Sequence, residues 1–111
     1  MSFKKHTVRS YDQDLKSIST TLDEMMSLVI KSIDMIGDIL KEKSIDLSAK
    51  IIEHDKKINS LDNLIEKKVT SILALRQPMA IDLRYIISSI KVSSNLERIG
   101  DQSKSIIKKI S

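Results

Sequence analysis

The 111-residue sequence has no cysteine and no tryptophan, only two glycines and one proline, and 3% aromatic residues. The absence of cysteine excludes disulfides and thiolate metal sites and fits a reducing cytosol. Because so few turn residues are present, a small number of long elements is favoured. The core has to be aliphatic, and 41% hydrophobic residues suffice for one domain over residues 1–111. No apolar run approaches the roughly 18 residues of a transmembrane segment, so we expect a soluble, cytoplasmic protein.

The charge pattern and the missing motifs also exclude function classes. Charged residues make up 31% of the chain with a net charge of +4, and the lysines form scattered pairs rather than one block. With few aromatic side chains to stack on bases, this pattern predicts no nucleic-acid binding. The sequence contains no glycine-rich phosphate loop, no Ser/His/Asp arrangement and no Glu-x-x-His motif of di-iron bundles. We therefore expect a protein that is not an enzyme.

Apolar periodicity predicts an all-α fold of three long antiparallel helices in an up-down bundle. The predicted helices cover about residues 10–42, 46–75 and 78–110. Ser10 and Gln13 form a capping-box pattern at the first start, and Lys41 to Ser44 is the expected break. Asp46 is the predicted N-cap of the second helix. Pro78 fits the first turn of the third helix, and Gln77 is pushed out of helical geometry.

Each predicted helix carries an apolar stripe. The first stripe contains one stutter and comprises Tyr11, Leu15, Ile18, Leu22, Met25, Val29, Ile33, Ile36 and Leu40. The second comprises Leu47, Ile51, Ile58, Leu61, Ile65, Val69, Ile72 and Leu75. The third helix has two stripes on roughly opposite faces, one of Leu83, Ile86, Ile87 and Ile90, the other of Val92, Leu96, Ile99, Ile106 and Ile110. A lone three-helix bundle would bury only one of these two, so the other needs a partner outside the 111 residues.

Glu97 and Asp101 are the main candidate ligands for a metal. They stand four residues apart, so on a helix they lie on one face and repel each other by a few tenths of a kcal/mol. Gly100 between them costs about 1 kcal/mol relative to alanine. The apolar face of Leu83 and Ile87 continues directly into these carboxylates, an unusual position for a merely solvated pair.

A hard cation such as Mg²⁺, Mn²⁺ or Ca²⁺, or iron, would offset the repulsion. Further oxygen ligands would come from the polar stripe of the second helix, a second copy of the site or water. That stripe comprises Asp55, Asn59, Asp62 and Glu66, and such a stripe is usually a hydrated face. The alternative is that Arg98 forms an ordinary ion pair with Asp101 and the carboxylates are structural. His54 is predicted to be solvated.

The run ALRQPMAIDLRYIISSIKVSSNLERIGD, Ala74 to Asp101, closely resembles the PhoU family. Its residues in register with the family pattern are Arg76, Gln77, Pro78, Ala80, Asp82, Leu83, Arg84, Lys91, Leu96, Glu97, Arg98, Ile99, Gly100 and Asp101. Upstream, IIEHDKKINSLDNLIE fits the acidic pattern of the family's second helix. The resemblance covers nearly the whole chain and is weakest in the first helix.

The resemblance implies an all-helical cytoplasmic regulator of phosphate uptake without enzymatic activity. PhoU-like proteins are built from two three-helix repeats with paired acidic motifs that hold metal clusters. They restrain the phosphate ABC transporter and keep a sensor histidine kinase quiet, so the transporter ATPase and the kinase are the implied partners. By position, Glu97 and Asp101 form one acidic motif and Asp55 with Asn59 the other. Arg76, Gln77, Asp82, Arg84 and Arg98 are motif residues with structural or partner-binding roles.

Three departures from the family pattern matter. Asn59 stands where a carboxylate is frequent and Asn95 where many members have aspartate, so we expect weaker metal binding. One repeat is present instead of two, which favours a fragment that lacks its second repeat over a homodimer in which two copies pair.

The alternative function is a generic helical interaction module with structural carboxylates and no metal.

Overall fold

The structure, a computed structural model, describes the backbone of residues 2–42 and 46–110 and the side chains of residues 10–41 and 46–110. It comprises three helices, α1 (Ser2–Glu42), α2 (Ser48–Arg76) and α3 (Ala80–Ile110). Each helix packs against both others, and the bundle measures 62 × 21 × 18 Å. No residue in the described ranges lies in a β-strand, so the predicted all-α fold is confirmed.

Side-chain contacts show that neighbouring helices run antiparallel. Ser10, near the start of α1, contacts Arg76 at the end of α2, and Glu24 contacts Lys57. Between α2 and α3, Asp55 contacts Lys104 and Asp62 contacts Ser93. The order is therefore up-down-up. Residues 43–45 of the expected break lie outside the described residues.

The buried face of α1 differs from the predicted stripe beyond Val29. Ser32 and Ile39 are each 1% exposed, whereas Ile33 and Leu40 are 51% and 62% exposed. The predicted stutter is wrong, because the regular three-and-four spacing continues through Ser32. Hydrophobicity alone selected the isoleucine next to it, since a serine at a core position has no apolar signal.

The buried face of α2 follows the predicted stripe and contains one residue that the stripe left out. Ile51, Ile58 and Ile65 are at most 1% exposed, and Asp55, between the first two, is only 2% exposed. The gap in the apolar stripe is thus a buried carboxylate and not a hydrated position. Leu75 at the far end is 75% exposed and lies outside the core.

The core face of α3 lies between the two predicted stripes and contains mostly small residues. Its buried members, at alternating spacings of three and four, are Ile86, Ser89, Ser93, Leu96, Gly100, Ser103 and Ile107. Residues of both predicted stripes remain partly exposed, among them Ile87 at 44% and Val92 at 40%. Ile86 of one predicted stripe and Leu96 of the other are buried in this face, but the two-stripe pattern as a whole is wrong. Three serines and a glycine let α3 approach α1 and α2 closely, and their weak hydrophobicity hid the seam.

The ends of the helices also differ from the prediction. The α1 helix begins at Ser2, so Ser10 lies inside it and is not a cap. Leu47 precedes the first residue of α2 and makes no side-chain capping bond, so Asp46 is not the N-cap. Pro78 was predicted in the first turn of α3 but precedes this helix, which begins at Ala80. The Leu83 amide donates a hydrogen bond to the carbonyl of Met79, the residue just before α3.

Gln77 leaves helical geometry as predicted, with φ 46° and ψ 64°. It is the one non-glycine residue with positive φ among the described residues. Within the described ranges, no helix combines the length and the apolar character that crossing a bilayer would require.

Candidate functional site

Gly100 of α3 packs directly against Asp55 and Ile58 of α2. A Cβ atom added to Gly100 would lie 3.1 Å from Ile58 Cδ1 and 3.3 Å from Asp55 Oδ1. Real Cβ atoms rarely have such close neighbours, so the helices could not pack this tightly around a larger residue. The glycine in the middle of α3 is therefore explained by the buried carboxylate opposite it.

Lys104, one helical turn beyond Gly100, is the counter-ion of Asp55. Its Nζ lies 3.9 Å from Asp55 Oδ2, and its side chain is 33% exposed, so it reaches the carboxylate from the surface. Among the residues that the structure describes, Asp55 Oδ1 has no hydrogen-bond partner. Burial raises the pKa of Asp55; Lys104 lowers this pKa in part, and Asp101 adds to the increase. We call Asp55, Gly100 and Lys104 the interior carboxylate site.

Glu97 and Asp101 lie beside this site on α3. Glu97 is half-buried and Asp101 is exposed. Burial raises the pKa of Glu97, and the nearby Asp101, Asp62 and Asp55 raise it further. Four acidic residues thus lie in one region of the α2–α3 pair, from the buried Asp55 to the exposed Asp101. Arg98 lowers the pKa of Glu97 but forms no ion pair with Asp101 in the part of the chain that the structure describes.

The remaining residues of the predicted polar stripe of α2 separate into different surroundings. Asp62 accepts a hydrogen bond of 2.5 Å from the buried Ser93 Oγ, which ties α2 to α3. Asn59 is half-buried and Glu66 is exposed. His54 is half-buried, with Nδ1 3.4 Å from Ser32 Oγ, so the prediction of a solvated histidine is wrong. Burial, followed by the nearby Lys31, lowers its pKa.

These acids do not form a ready metal centre. Over residues 10–41 and 46–110, no group of three or more histidine, cysteine, aspartate or glutamate side chains is arranged to hold a metal ion. Asp55 faces Lys104 and Asp62 faces Ser93, so two of the proposed ligands already have other partners. The donor set as placed does not fit a metal cluster, and metal binding by Glu97 and Asp101 stays a prediction.

A second polar cluster joins α1 to the α2–α3 turn, and we call it the turn cluster. Tyr11 Oη donates a 2.8 Å hydrogen bond to Asp82 Oδ2. Arg76 Nη2 donates a 2.7 Å bond to Ser10 Oγ and lies 3.6 Å from Asp14 Oδ2. Burial and the bond to Asp82 raise the pKa of Tyr11 to about 12.

Arg76, Gln77 and Asp82 of the family pattern have structural roles at the turn between α2 and α3. Arg76 and Asp82 fasten the turn to α1, and Gln77 supplies the left-handed residue that ends α2. Arg84 and Arg98 are exposed and have no ion pair within the described residues, so a partner-binding role for them remains a prediction.

Several of these contacts had no signal in the sequence, although Arg76 and Asp82 belong to the family pattern. Tyr11 and Asp82 stand 71 residues apart and Arg76 and Ser10 66 apart, so no local spacing links them. Lys104 resembles any lysine of a solvated face. The one available signal was the missing apolar residue between Ile51 and Ile58, which falls at Asp55.

Comparisons with known proteins agree with the resemblance in the sequence. Residues 22–110 match the PhoU domain. The chain belongs to the PhoU family. The matched range contains about half of α1 and all of α2 and α3, including both acidic motifs and the turn.

Three curated PhoU-family relatives show how much of a longer protein is matched. The chain is 34% identical to the phosphate-specific transport system accessory protein PhoU homolog of Caulobacter vibrioides, over 95% of this chain and 46% of the relative. It is 35% identical to the homolog of Zymomonas mobilis, over 95% of this chain and 44% of that relative. It is 33% identical to the phosphate-specific transport system accessory protein PhoU of Edwardsiella tarda, over 96% of this chain and 44% of that relative. The chain thus spans less than half the length of these relatives. No solved structure gives a significant match.

Proposed function

We propose that this PhoU-family chain is a non-catalytic, cytoplasmic regulator of phosphate uptake. It negatively regulates a phosphate ABC transporter and phosphate-responsive signalling through contacts with the transporter ATPase and a sensor histidine kinase. The observation that carries this proposal is the match of 95% of the chain to accessory proteins of phosphate-specific transport systems. An adaptor role requires exposed surface for partners and no reactive centre.

An outward apolar stripe on α1 supports a role in binding. Its members are Met26, Ile30, Ile33 and Leu40, which are 44%, 52%, 51% and 62% exposed. Their spacing follows a heptad pattern of the kind that mediates helix–helix contact. Gly37, at the remaining position of the stripe, has no neighbouring atom within 4 Å of an added Cβ. We call these residues the α1 stripe, and at about 1.5 Å per residue it is roughly 21 Å long.

We propose that the α1 stripe pairs with a second copy of the chain or with a second repeat. Sedimentation measurements test the first case: we expect a dimer for the chain and a monomer when Ile33→Glu is combined with Leu40→Glu. Asn63→Glu with Thr70→Glu is the matched control, since both residues are exposed on α2. A chain that is monomeric at all concentrations, or a dimer that survives the α1 changes, contradicts pairing of copies through this stripe.

Capture experiments test regulation. Immobilised chain should retain the purified transporter ATPase or the sensor kinase. The Arg84→Glu plus Arg98→Glu variant should retain less, because both arginines are exposed and form no ion pair with any described residue. Retention of neither partner by the unchanged chain counts against the proposal. Assays for phosphate-ester hydrolysis should be blank.

The second candidate function is a helical interaction module with structural carboxylates and no metal. The contact between Asp55 and Lys104 favours the structural role for one of these acids. Elemental analysis after metal titration separates a metal-dependent regulator from a module without metal. Metal that is retained by the unchanged chain and lost on Glu97→Ala with Asp101→Ala supports the metal-dependent form; equal metal content in both rules out these ligands.

A further inference from the structure

A cleft of about 250 Å³ lies between α1 and α2, away from the interior carboxylate site. Asp14 and Ser17 line it from α1, and Lys67, Lys68, Ser71 and the apolar Ile72 line it from α2. At about 30 Å³ for each water molecule in the liquid, this volume equals roughly eight waters. It therefore accommodates a small polyatomic ion with part of its hydration shell.

Lys68 places a fixed positive charge in the wall of the cleft. Its Nζ donates to Ser17 Oγ at 2.5 Å, to Thr21 Oγ1 at 2.8 Å and to the Ser17 carbonyl at 3.4 Å. All three partners are neutral, and no carboxylate lies within ion-pair distance among the described residues. A half-buried ammonium held by neutral oxygens lacks a counter-ion, which an anion in the cleft would supply.

The cleft also offers unused hydrogen-bond donors. Ser17 Oγ accepts the bond from Lys68, so its own hydrogen remains available. Lys67 and Ser71 are exposed, and neither side chain has a hydrogen bond or an ion pair within the described part of the chain. One free ammonium and two hydroxyl groups thus border a cleft that already contains a fixed charge. Lysine serves as a point charge for phosphate groups in many proteins.

Asp14 decides which anion fits. Its Oδ2 lies 3.6 Å from Arg76 Nη2, so this pair is close to neutral and the charges of Lys67 and Lys68 remain in excess. A carboxylate repels a fully ionised oxyanion such as sulfate. Hydrogen phosphate keeps a proton at neutral pH, and Asp14 can accept a hydrogen bond from that P–OH group.

We propose that this cleft binds inorganic phosphate in its protonated form. Lys67 and Lys68 provide the charge, Ser17 and Ser71 donate to the phosphate oxygens, and Asp14 accepts the remaining proton. This binding site goes beyond the proposed function and is argued from the cleft alone. Its test contains no partner protein, so failure to capture the transporter ATPase leaves the result unaffected.

The test is a titration of the nitrogen-labelled chain followed by backbone amide NMR at neutral pH and constant ionic strength. With inorganic phosphate we expect saturable shifts confined to the amides around Ser17 and Lys67 to Ser71. Sulfate should bind more weakly by about tenfold, because it offers Asp14 no proton. Absence of saturation with phosphate, or equal binding of both ions, would overturn the proposal.

Variants assign the contacts. Lys68→Met should weaken phosphate binding by about tenfold or more, and Lys67→Met repeats the test without disturbing any contact between helices. Lys56→Met is the matched control at an exposed α2 position outside the cleft and should change affinity by less than about twofold. Asp14→Ala should abolish the preference for phosphate over sulfate. Phosphate affinity that is unchanged in Lys67→Met, or a preference that persists in Asp14→Ala, contradicts the site.

Discussion

The turn cluster and the interior carboxylate site both join helices through charged groups, yet their contacts differ. In the turn cluster, hydrogen bonds of 2.7 and 2.8 Å connect Arg76 to Ser10 and Tyr11 to Asp82. In the interior site, Asp55 is 2% exposed and lies 3.9 Å from its counter-ion. Within the described part of the chain, Asp55 Oδ1 has no hydrogen-bond partner, and neither has Arg76 Nε in the turn cluster. Short bonds at the rim of a bundle stabilise it. A buried, partly satisfied carboxylate costs stability.

The largest expected effect concerns the tight contact at Gly100. Gly100→Val should lower the free energy of unfolding by about 3 kcal/mol, because the new side chain overpacks against Ile58 and Asp55. Urea unfolding at neutral pH measures this loss of stability. Gly37→Ala is the matched control, and it should raise stability by about 0.5–1 kcal/mol because that glycine lies in open space within α1. Similar effects of the two substitutions would show that α2 and α3 are not in close contact at Gly100.

The second prediction concerns the counter-ion. Lys104→Met should destabilise the chain by about 2 kcal/mol, since Asp55 would remain buried without a compensating charge. Combining it with Asp55→Leu should restore or exceed the original stability, because an apolar residue suits that core position. If the two substitutions prove additive in a double-mutant cycle, the two side chains do not interact.

The third prediction is a pH dependence that follows from the raised pKa values of Asp55 and Glu97. An acid whose folded pKa lies above its unfolded value binds protons more tightly in the folded state, so stability falls as pH rises between those values. For Asp55, the fall in stability begins near pH 3.8, the ordinary pKa of aspartate, and ends above the raised pKa of the folded state. Each unit of raised pKa corresponds to about 1.4 kcal/mol.

Urea unfolding at several acidic pH values measures how stability changes with pH. Asp55→Asn should remove the part of this pH dependence that Asp55 contributes. An unchanged pH profile in Asp55→Asn would show that the carboxylate is not buried.

The smallest expected effect lies in the turn cluster. Tyr11→Phe removes one hydrogen bond to Asp82 and should cost about 1 kcal/mol at neutral pH. In the unchanged chain, stability should also fall as pH rises from 10.0 towards about 12, because the folded state holds the phenol proton more tightly. Tyr85→Phe is the control, since that tyrosine is 39% exposed. Equal losses in both variants would show that the bond to Asp82 contributes nothing specific.

Periodicity predicted the three helices and most of the α2 core, because isoleucine and leucine at helical spacing are a strong signal. It failed on much of α3, where Ser89, Ser93, Gly100 and Ser103 share the core face with Ile86, Leu96 and Ile107. Small residues pack helices closely without raising local hydrophobicity, so most residues of the predicted stripes fell on the flanks. The same cause displaced the predicted α1 core at Ser32.

The candidate site could be predicted only as far as single helices allow. Glu97 and Asp101 were identified from one turn of α3, and Asp55 from a separate stripe on α2. The assignment of Lys104 to Asp55, and of Ser93 to Asp62, depends on the rotation of α3 against α2. That rotation is fixed by the small-residue seam, which has no recognisable pattern in hydropathy.

The most direct measurement of the interior carboxylate site is the titration of the Asp55 carboxyl group by carbon NMR, in the unchanged chain and in Lys104→Met. A buried carboxylate beside one ammonium should titrate above 3.8, and its pKa should rise further when the ammonium is removed. A pKa at or below 3.8, unchanged by Lys104→Met, would place Asp55 in water and away from Lys104.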